Sequence, residues 1–234
     1  MKIKVPIPIL LVMQLAVLSL WTPSHAQWTD LFNGTDLDGW VQYGGAADYF
    51  VEDGILYGVA VPDSPNSFLA TRDIYSDFIL EVEFLVDPKL NSGVQIRSQV
   101  NDAGLVYGYQ VEIDPSDRAW SAGIYDEGRR GWMYPLTENK PGQEAFRPGD
   151  WKTIRVEALG ASIRTWINGV EAASVLDDET PEGFIALQVH SINDAADAGI
   201  DIAFRSVRII THNPERHQTP ASDLKQLNFI PNAQ

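Results

Sequence analysis

From Tyr49 onward, apolar and polar residues alternate in short runs, each closed by Gly, Pro, Asn or Asp. A period of two marks half-buried strands. It predicts strands at Tyr49–Glu52, Ile55–Val59, Ser67–Ala70, Phe78–Val86, Gly93–Ser98 and Tyr107–Asp114. Further strands are predicted at Gly123–Tyr125, Trp151–Ala158, Ser162–Ile167, Val170–Ser174, Gly183–His190 and Ile200–Ile210. No window carries the i, i+3, i+4, i+7 stripe of an amphipathic helix. Asn168-Gly169 sits between two strands, and both residues tolerate the positive φ of a type I′ hairpin turn. No repeat or composition break divides the chain, so residues 27–211 read as one all-β sandwich of two antiparallel sheets. Residues 212–234, with Pro214, Pro220 and Pro231, read as a tail over the surface.

Three strands gather unusual polar residues on one face. Gln110, Glu112 and Asp114 oppose Tyr109, Val111 and Ile113; Asn91, Gln95 and Arg97 oppose Val94 and Ile96; Gln188 and His190 oppose Leu187 and Val189. If these strands share a sheet, its outer face collects amides, carboxylates, a guanidinium and an imidazole. Glu81 and Glu83, outward-facing between Leu80, Val82 and Phe84, read instead as plain solvated surface. Arg97 can pair with Glu112 or Asp114, and Asp114 can simply end its strand before Pro115. Glu112 is mid-strand between Val111 and Ile113, where a carboxylate needs a partner, a metal or a substrate hydroxyl. Trp120, Tyr125, Trp132 and Tyr134 fall close by, with Gly128, Arg129, Arg130 and Gly131 among them. Flat rings beside polar side chains suit sugars, whose CH faces stack while their hydroxyls hydrogen-bond.

Composition narrows the function classes. The chain has 234 residues, 32 acidic against 17 basic, and a net charge of −15. Such a surface repels phosphate backbones and anionic headgroups, which argues against nucleic-acid and peripheral-membrane roles. Without cysteine, disulfides, thiolate nucleophiles and Cys-held metals are excluded. No GxGxxG, P-loop, GxSxG or HExxH occurs, so a nucleotide cofactor, a serine elbow and zinc peptidase chemistry lack support. Lys2 and Lys4 precede an apolar run from Ile7 to Leu20, then Ser24-His25-Ala26. This is the pattern of a signal peptide over residues 1–26, with export to the periplasm or beyond and no membrane span after cleavage.

Several ordered segments resemble the bacterial 3-keto-disaccharide hydrolase family. They are Leu31-Phe32-Asn33-Gly34 with Leu37-Asp38-Gly39-Trp40, Asn91-Ser92-Gly93-Val94-Gln95-Ile96-Arg97 and Gly108-Tyr109-Gln110-Val111-Glu112-Ile113-Asp114. Gly123-Ile124-Tyr125-Asp126, Gly149-Asp150-Trp151-Lys152, Trp166-Ile167-Asn168-Gly169, Ile185-Ala186-Leu187-Gln188-Val189-His190 and Phe204-Arg205 complete the series. One departure stands out: many members read Gly-Tyr-Glu-x-Gln where this chain has Gly108-Tyr109-Gln110-Val111-Glu112.

The resemblance implies a concanavalin-A-like jelly roll that binds an oligosaccharide or glycoside on its concave sheet. It also implies cleavage of glycosides already oxidised to a ketone at C3. That ketone acidifies the C2 proton, so a base can remove it, the C1 substituent leaves by β-elimination, and water adds. On this reading His190 or Glu112 is the base, and Arg97, with a divalent cation held by Glu112 and His190, stabilises the enolate. Asn91, Gln95, Gln110, Asp114 and Gln188 would position hydroxyls, and Trp120 or Tyr125 would stack on the sugar. Two alternatives stay open. One is a non-catalytic, lectin-like carbohydrate-binding domain. The other is a direct retaining glycosidase, because Glu112-Ile113-Asp114 resembles the acidic strand of jelly-roll glucanases, with Asp117 as its last acid.

Overall fold

The alternation seen in the sequence becomes two stacked sheets in the computed structural model, which describes Met1, residues 28–147 and residues 149–230. The expected leader over residues 1–26, Met1 apart, lies outside the described residues. The first strands are β1 (Thr29–Asp30), β2 (Trp40–Gly44), β3 (Asp48–Glu52), β4 (Ile55–Val59), β5 (Ser67–Thr71), β6 (Phe78–Val86), β7 (Ser92–Val100) and β8 (Val106–Ile113). Then come β9 (Ile124–Glu127), β10 (Gly131–Tyr134), helix α1 (Lys140–Ala145), β11 (Lys152–Leu159), β12 (Ser162–Ile167) and β13 (Val170–Leu176). The last are β14 (Phe184–Val189), β15 (Asp201–Ile210) and β16 (Leu227–Asn228).

A seven-stranded sheet runs β10-β9-β8-β7-β14-β5-β2, antiparallel throughout. A nine-stranded sheet runs β16-β13-β12-β11-β6-β15-β4-β3, with β1 also on β15. Among the described residues its one parallel pair of strands is β13 with β16. The chain crosses between sheets repeatedly, as in a jelly roll. Leu80, Val82, Phe84, Ile154, Val156, Phe204 and Val207 from the larger sheet meet Trp40, Leu69, Val94, Ile96, Val111, Ile113, Ile185 and Leu187 from the smaller one, forming the buried core. Among the described residues no helix is long and apolar enough to cross a membrane.

β4, β6 and β12 have the bounds that the alternation predicts, and the Asn168-Gly169 hairpin has φ 50° and 82° as its turn requires. The alternation does not predict β1, β2, β10 or β16, the last of which lies in the segment read as a surface tail. In Trp40–Gly44 one face mixes Trp40 with Gln42 while the other carries Val41 and Tyr43, so neither stands out as the buried one and the register comes from pairing with β5. Helix α1 was also unexpected. Its single turn starts where the Asn139 side chain accepts the Gly142 N–H at 3.1 Å.

On the outer face of the larger sheet, Glu81 pairs with Arg155 and Arg208, and Glu83 with Arg205. The C-terminal segment lies across this face. Thr219 donates its N–H and its hydroxyl to Glu157 Oε1, both at 2.7 Å, and Arg155 and Arg164 donate to carbonyl oxygens of His217, Thr219 and Pro220.

Candidate functional site

In β8, Tyr109, Val111 and Ile113 point into the core, which turns Gln110 and Glu112 outward. The same alternation in β9 turns Tyr125 and Glu127 outward. Strand ends and loops supply the remainder: Asn66 before β5, Asn91 before β7, Arg118 after β8, Trp132 in β10 and His190 after β14. These nine side chains line a cavity of about 430 Å³ on the outer face of the smaller sheet. That volume suits a sugar-sized ligand, and the lining is polar apart from two rings.

Glu112 forms the floor, with only 4% of its surface exposed. Asn91 Nδ2 donates to its Oε1 at 2.7 Å, and Gln110 Nε2 donates to its Oε2 at 2.9 Å. Burial pushes its carboxyl above the usual carboxylate range, and the two amide donors pull back against that rise. Arg118 Nη2 stands 3.6 Å from Glu112 Oε1, while its Nε donates to Asp114 Oδ2 at 2.7 Å. The guanidinium also lies over the rings of Trp120 and Trp132, 4.8 and 5.2 Å from their centroids. A cation is thereby fixed beside a buried carboxylate, with aromatic walls around both.

His190 Nδ1 faces the Ser191 carbonyl at 2.9 Å. A carbonyl only accepts, so Nδ1 carries the proton in the neutral ring and the Nε2 lone pair is free for chemistry. Glu127 shares this part of the cavity. Burial raises its carboxyl, the His190 imidazole lowers it, and the Glu112 charge raises it again.

The structure brings together Glu112, His190, Asn91, Gln110 and Tyr125 of the expected site, and separates the others. Arg97 leaves the polar face. A bulge between Ile96 and Gln99, with Arg97 at φ 46°, breaks the alternation and sends its side chain to the Ser76 and Gly160 carbonyls and to Asp77. Arg97 is therefore a buried bolt between loops rather than an enolate stabiliser. Asp114 binds no substrate from its position: its oxygens already accept from Ser116, Arg118 and the Trp120 N–H. It aims Arg118, which also removes it as a second glycosidase carboxyl, and Asp117 is exposed outside the cavity. Trp120 stands behind Trp132, edge to face at 4.8 Å, instead of lining the cavity. Gln95 and Gln188 are fully buried beneath it. The Gln188 amide has no hydrogen-bond partner among the described residues.

Four lining residues escaped sequence reasoning as site residues. Parity with Tyr125 on β9 could have found Glu127, and Trp132 belonged to the aromatic cluster. Arg118 and Asn66 sit in loops without periodicity. The expected cation at Glu112 and His190 fits this donor set poorly. Both Glu112 oxygens already accept amide protons, and among the described residues no three His, Asp or Glu side chains cluster as metal ligands.

Residues 27–210 match the family described as a 3-keto-alpha-glucoside-1,2-lyase-like domain. No curated protein matches the sequence. Among solved structures, a proposed glycosyl hydrolase from Parabacteroides distasonis is similar over 80% of this chain and 94% of its own, at 18% identity and TM-score 0.59. A galectin-like protein of unknown function from Bacillus subtilis covers 79% and 94%, at 12% identity and TM-score 0.55. An immunostimulatory antigen and pseudo β-1,3-glucanase of Mycobacterium tuberculosis covers 79% and 98%, at 14% identity and TM-score 0.55. At such identities these structures share the jelly-roll fold.

Proposed function

The chain belongs to the family of 3-keto-alpha-glucoside-1,2-lyase-like domains, a carbohydrate-active group, and from that premise we propose that its cavity cleaves 3-keto-glycosides by elimination. The observation that carries the reading is the pairing of a buried carboxylate, Glu112, with a fixed guanidinium, Arg118, 3.6 Å away in one cavity. Proton abstraction next to a ketone needs both: a base for the C2 proton and a positive charge for the oxyanion that forms at C3.

Glu112 takes the C2 proton, and the C–H electron pair becomes the enolate whose oxygen faces Arg118. The enolate then collapses, re-forming the C3 ketone, making a C1–C2 double bond and breaking the bond from C1 to the glycosidic oxygen. That oxygen takes a proton from the imidazolium form of His190, which lines the same cavity. Asn91 and Gln110 orient the substrate hydroxyls, and Tyr125 and Trp132, edge to face at 5.3 Å, give it an apolar wall. Water adding to the resulting enone completes a net hydrolysis. Arg118 thus takes the part that the sequence suggested for Arg97.

Purified protein offered a glucoside and its 3-keto derivative in parallel is expected to consume only the keto form. Cleavage of the unoxidised glucoside would overturn the elimination reading. One observation favours a lectin-like alternative: both Glu112 oxygens are hydrogen-bonded within the protein, as a structural carboxylate's would be. Binding of both sugars without turnover would establish that alternative. The N-terminal sequence supports export, and a secreted or periplasmic product beginning at Gln27 is the expected result of N-terminal sequencing.

A further inference from the structure

Beneath the cavity, four side chains form one directed line of hydrogen bonds. Ser98 Oγ donates to Gln95 Oε1 at 2.6 Å, Gln95 Nε2 to Gln110 Oε1 at 2.7 Å, and Gln110 Nε2 to Glu112 Oε2 at 2.9 Å. All four are buried. An ionised carboxylate can only accept, so this direction, with both amide dipoles pointing their N–H ends toward Glu112, belongs to the charged form. The opposite direction is equally well supplied. A protonated Glu112 would donate to Gln110, both amides would turn end for end, and Ser98 Oγ would accept from Gln95. Its own proton then has carbonyl acceptors waiting, Ile96 at 3.1 Å and Tyr109 at 3.4 Å.

We propose that Ser98, Gln95 and Gln110 are a reversible amide relay that keeps Glu112 hydrogen-bonded in both protonation states and, because the charge-assisted bond to the carboxylate is the stronger of the two, holds its proton affinity down. Gln95 and Ser98 are positioning residues, because they act through Gln110 and do not line the cavity. The fold clears space for the line. A Cβ on Gly93, paired with Glu112 across the sheet, would lie 2.6 Å from Gln110 Cδ, and one on Gly108 would lie 2.5 Å from Ser98 Oγ. The Arg97 bulge serves the same arrangement: by using up one residue out of register, it turns Ser98 onto the face where Gln95 waits.

The other charged or titratable groups around Glu112 are Arg118, Asp114, Tyr125, Glu127 and His190. Among the described residues none of them hydrogen-bonds to Gln95 or Ser98. Replacing those two therefore changes the relay and leaves the rest of the cavity's charge in place. A base that is stabilised both before and after taking a proton suits the C2 abstraction, and this bearing on catalysis rests on the reading given above. The relay itself does not.

The test is a carboxyl ¹³C NMR titration of Glu112 in the whole protein, with the resonance assigned by its loss in Glu112→Gln. No substrate is involved, so the outcome is independent of whether keto-glycosides are cleaved. Gln95→Met is nearly isosteric and removes the middle amide, and Ser98→Ala removes the terminal hydroxyl. The expected result is a Glu112 midpoint higher by about half a pH unit in Gln95→Met and a smaller rise in Ser98→Ala. An unchanged or lowered midpoint in whichever of these variants folds, as judged by circular dichroism and thermal melting, overturns the proposal.

Discussion

Glu112 carries two expectations that pull in opposite directions. Because burial raises its carboxyl, ionised Glu112 costs the folded state free energy. A group whose folded value lies above its unfolded one contributes stability that is fully present at pH below the unfolded value and is lost as pH rises through the folded value. At neutral pH Glu112→Gln should therefore melt no lower than the parent, while keto-glycoside turnover falls about a thousandfold. Loss of stability together with activity would mark Glu112 as structural. Activity should also fall as pH drops through the raised Glu112 range, an acidic limb lying above that of an ordinary carboxylate; a limb at the ordinary value would remove Glu112 as base. Arg118→Gln should lower kcat/KM about a hundredfold with little change in melting, since the guanidinium is partly exposed. Glu112 could be found in the sequence because alternation puts it with Gln110 on one polar face, mid-strand between Val111 and Ile113, where a carboxylate needs a partner. Arg118 could not, because a loop residue aimed by Asp114 leaves no periodic trace.

At the scale of elements, β7 shows where alternation stops being a guide. Val94, Gln95 and Ile96 follow the period of two, and then one residue with positive φ reverses it. Gly183, just before β14, permits this bulge, since a Cβ there would lie 2.3 Å from the Ser98 carbonyl oxygen. A bulge is a backbone event that no side-chain pattern announces, which is why Arg97 read as part of the polar face. Arg97→Met separates the two roles. Loss of charged hydrogen bonds to Ser76, Gly160 and Asp77 should cost about 2–3 kcal/mol in urea unfolding, with kcat/KM per folded molecule unchanged. A selective loss of kcat/KM would return Arg97 to the active site. The strands with strong alternation, such as β6 and β12, were legible to the residue. β2 and β10, short and without a clear polar-apolar alternation, owe their conformation to their neighbours in the sheet.

For the molecule as a whole, the sandwich and its polar face follow from pattern, but the docking of the C-terminal segment does not. Thr219 hydrogen-bonds Glu157 Oε1 from 62 residues away, a contact without local signature. Removing residues 212–234 should expose Glu157 and lower stability by about 2 kcal/mol, read as a drop in melting temperature. An unchanged melting temperature would make the segment a passive tail. Dialysis against EDTA should leave turnover unaltered, because Glu112 is held by amides; inactivation reversed by a divalent cation would refute that assignment. The central claim is that the C2 proton leaves before the glycosidic bond breaks. It is tested most directly by following a 3-keto-glucoside deuterated at C2 through to product in ordinary water. Elimination and hydration predict a slowed reaction and a released 3-keto sugar that has lost its C2 deuterium. Aglycone release with the deuterium retained would contradict the account and assign the cavity to direct hydrolysis.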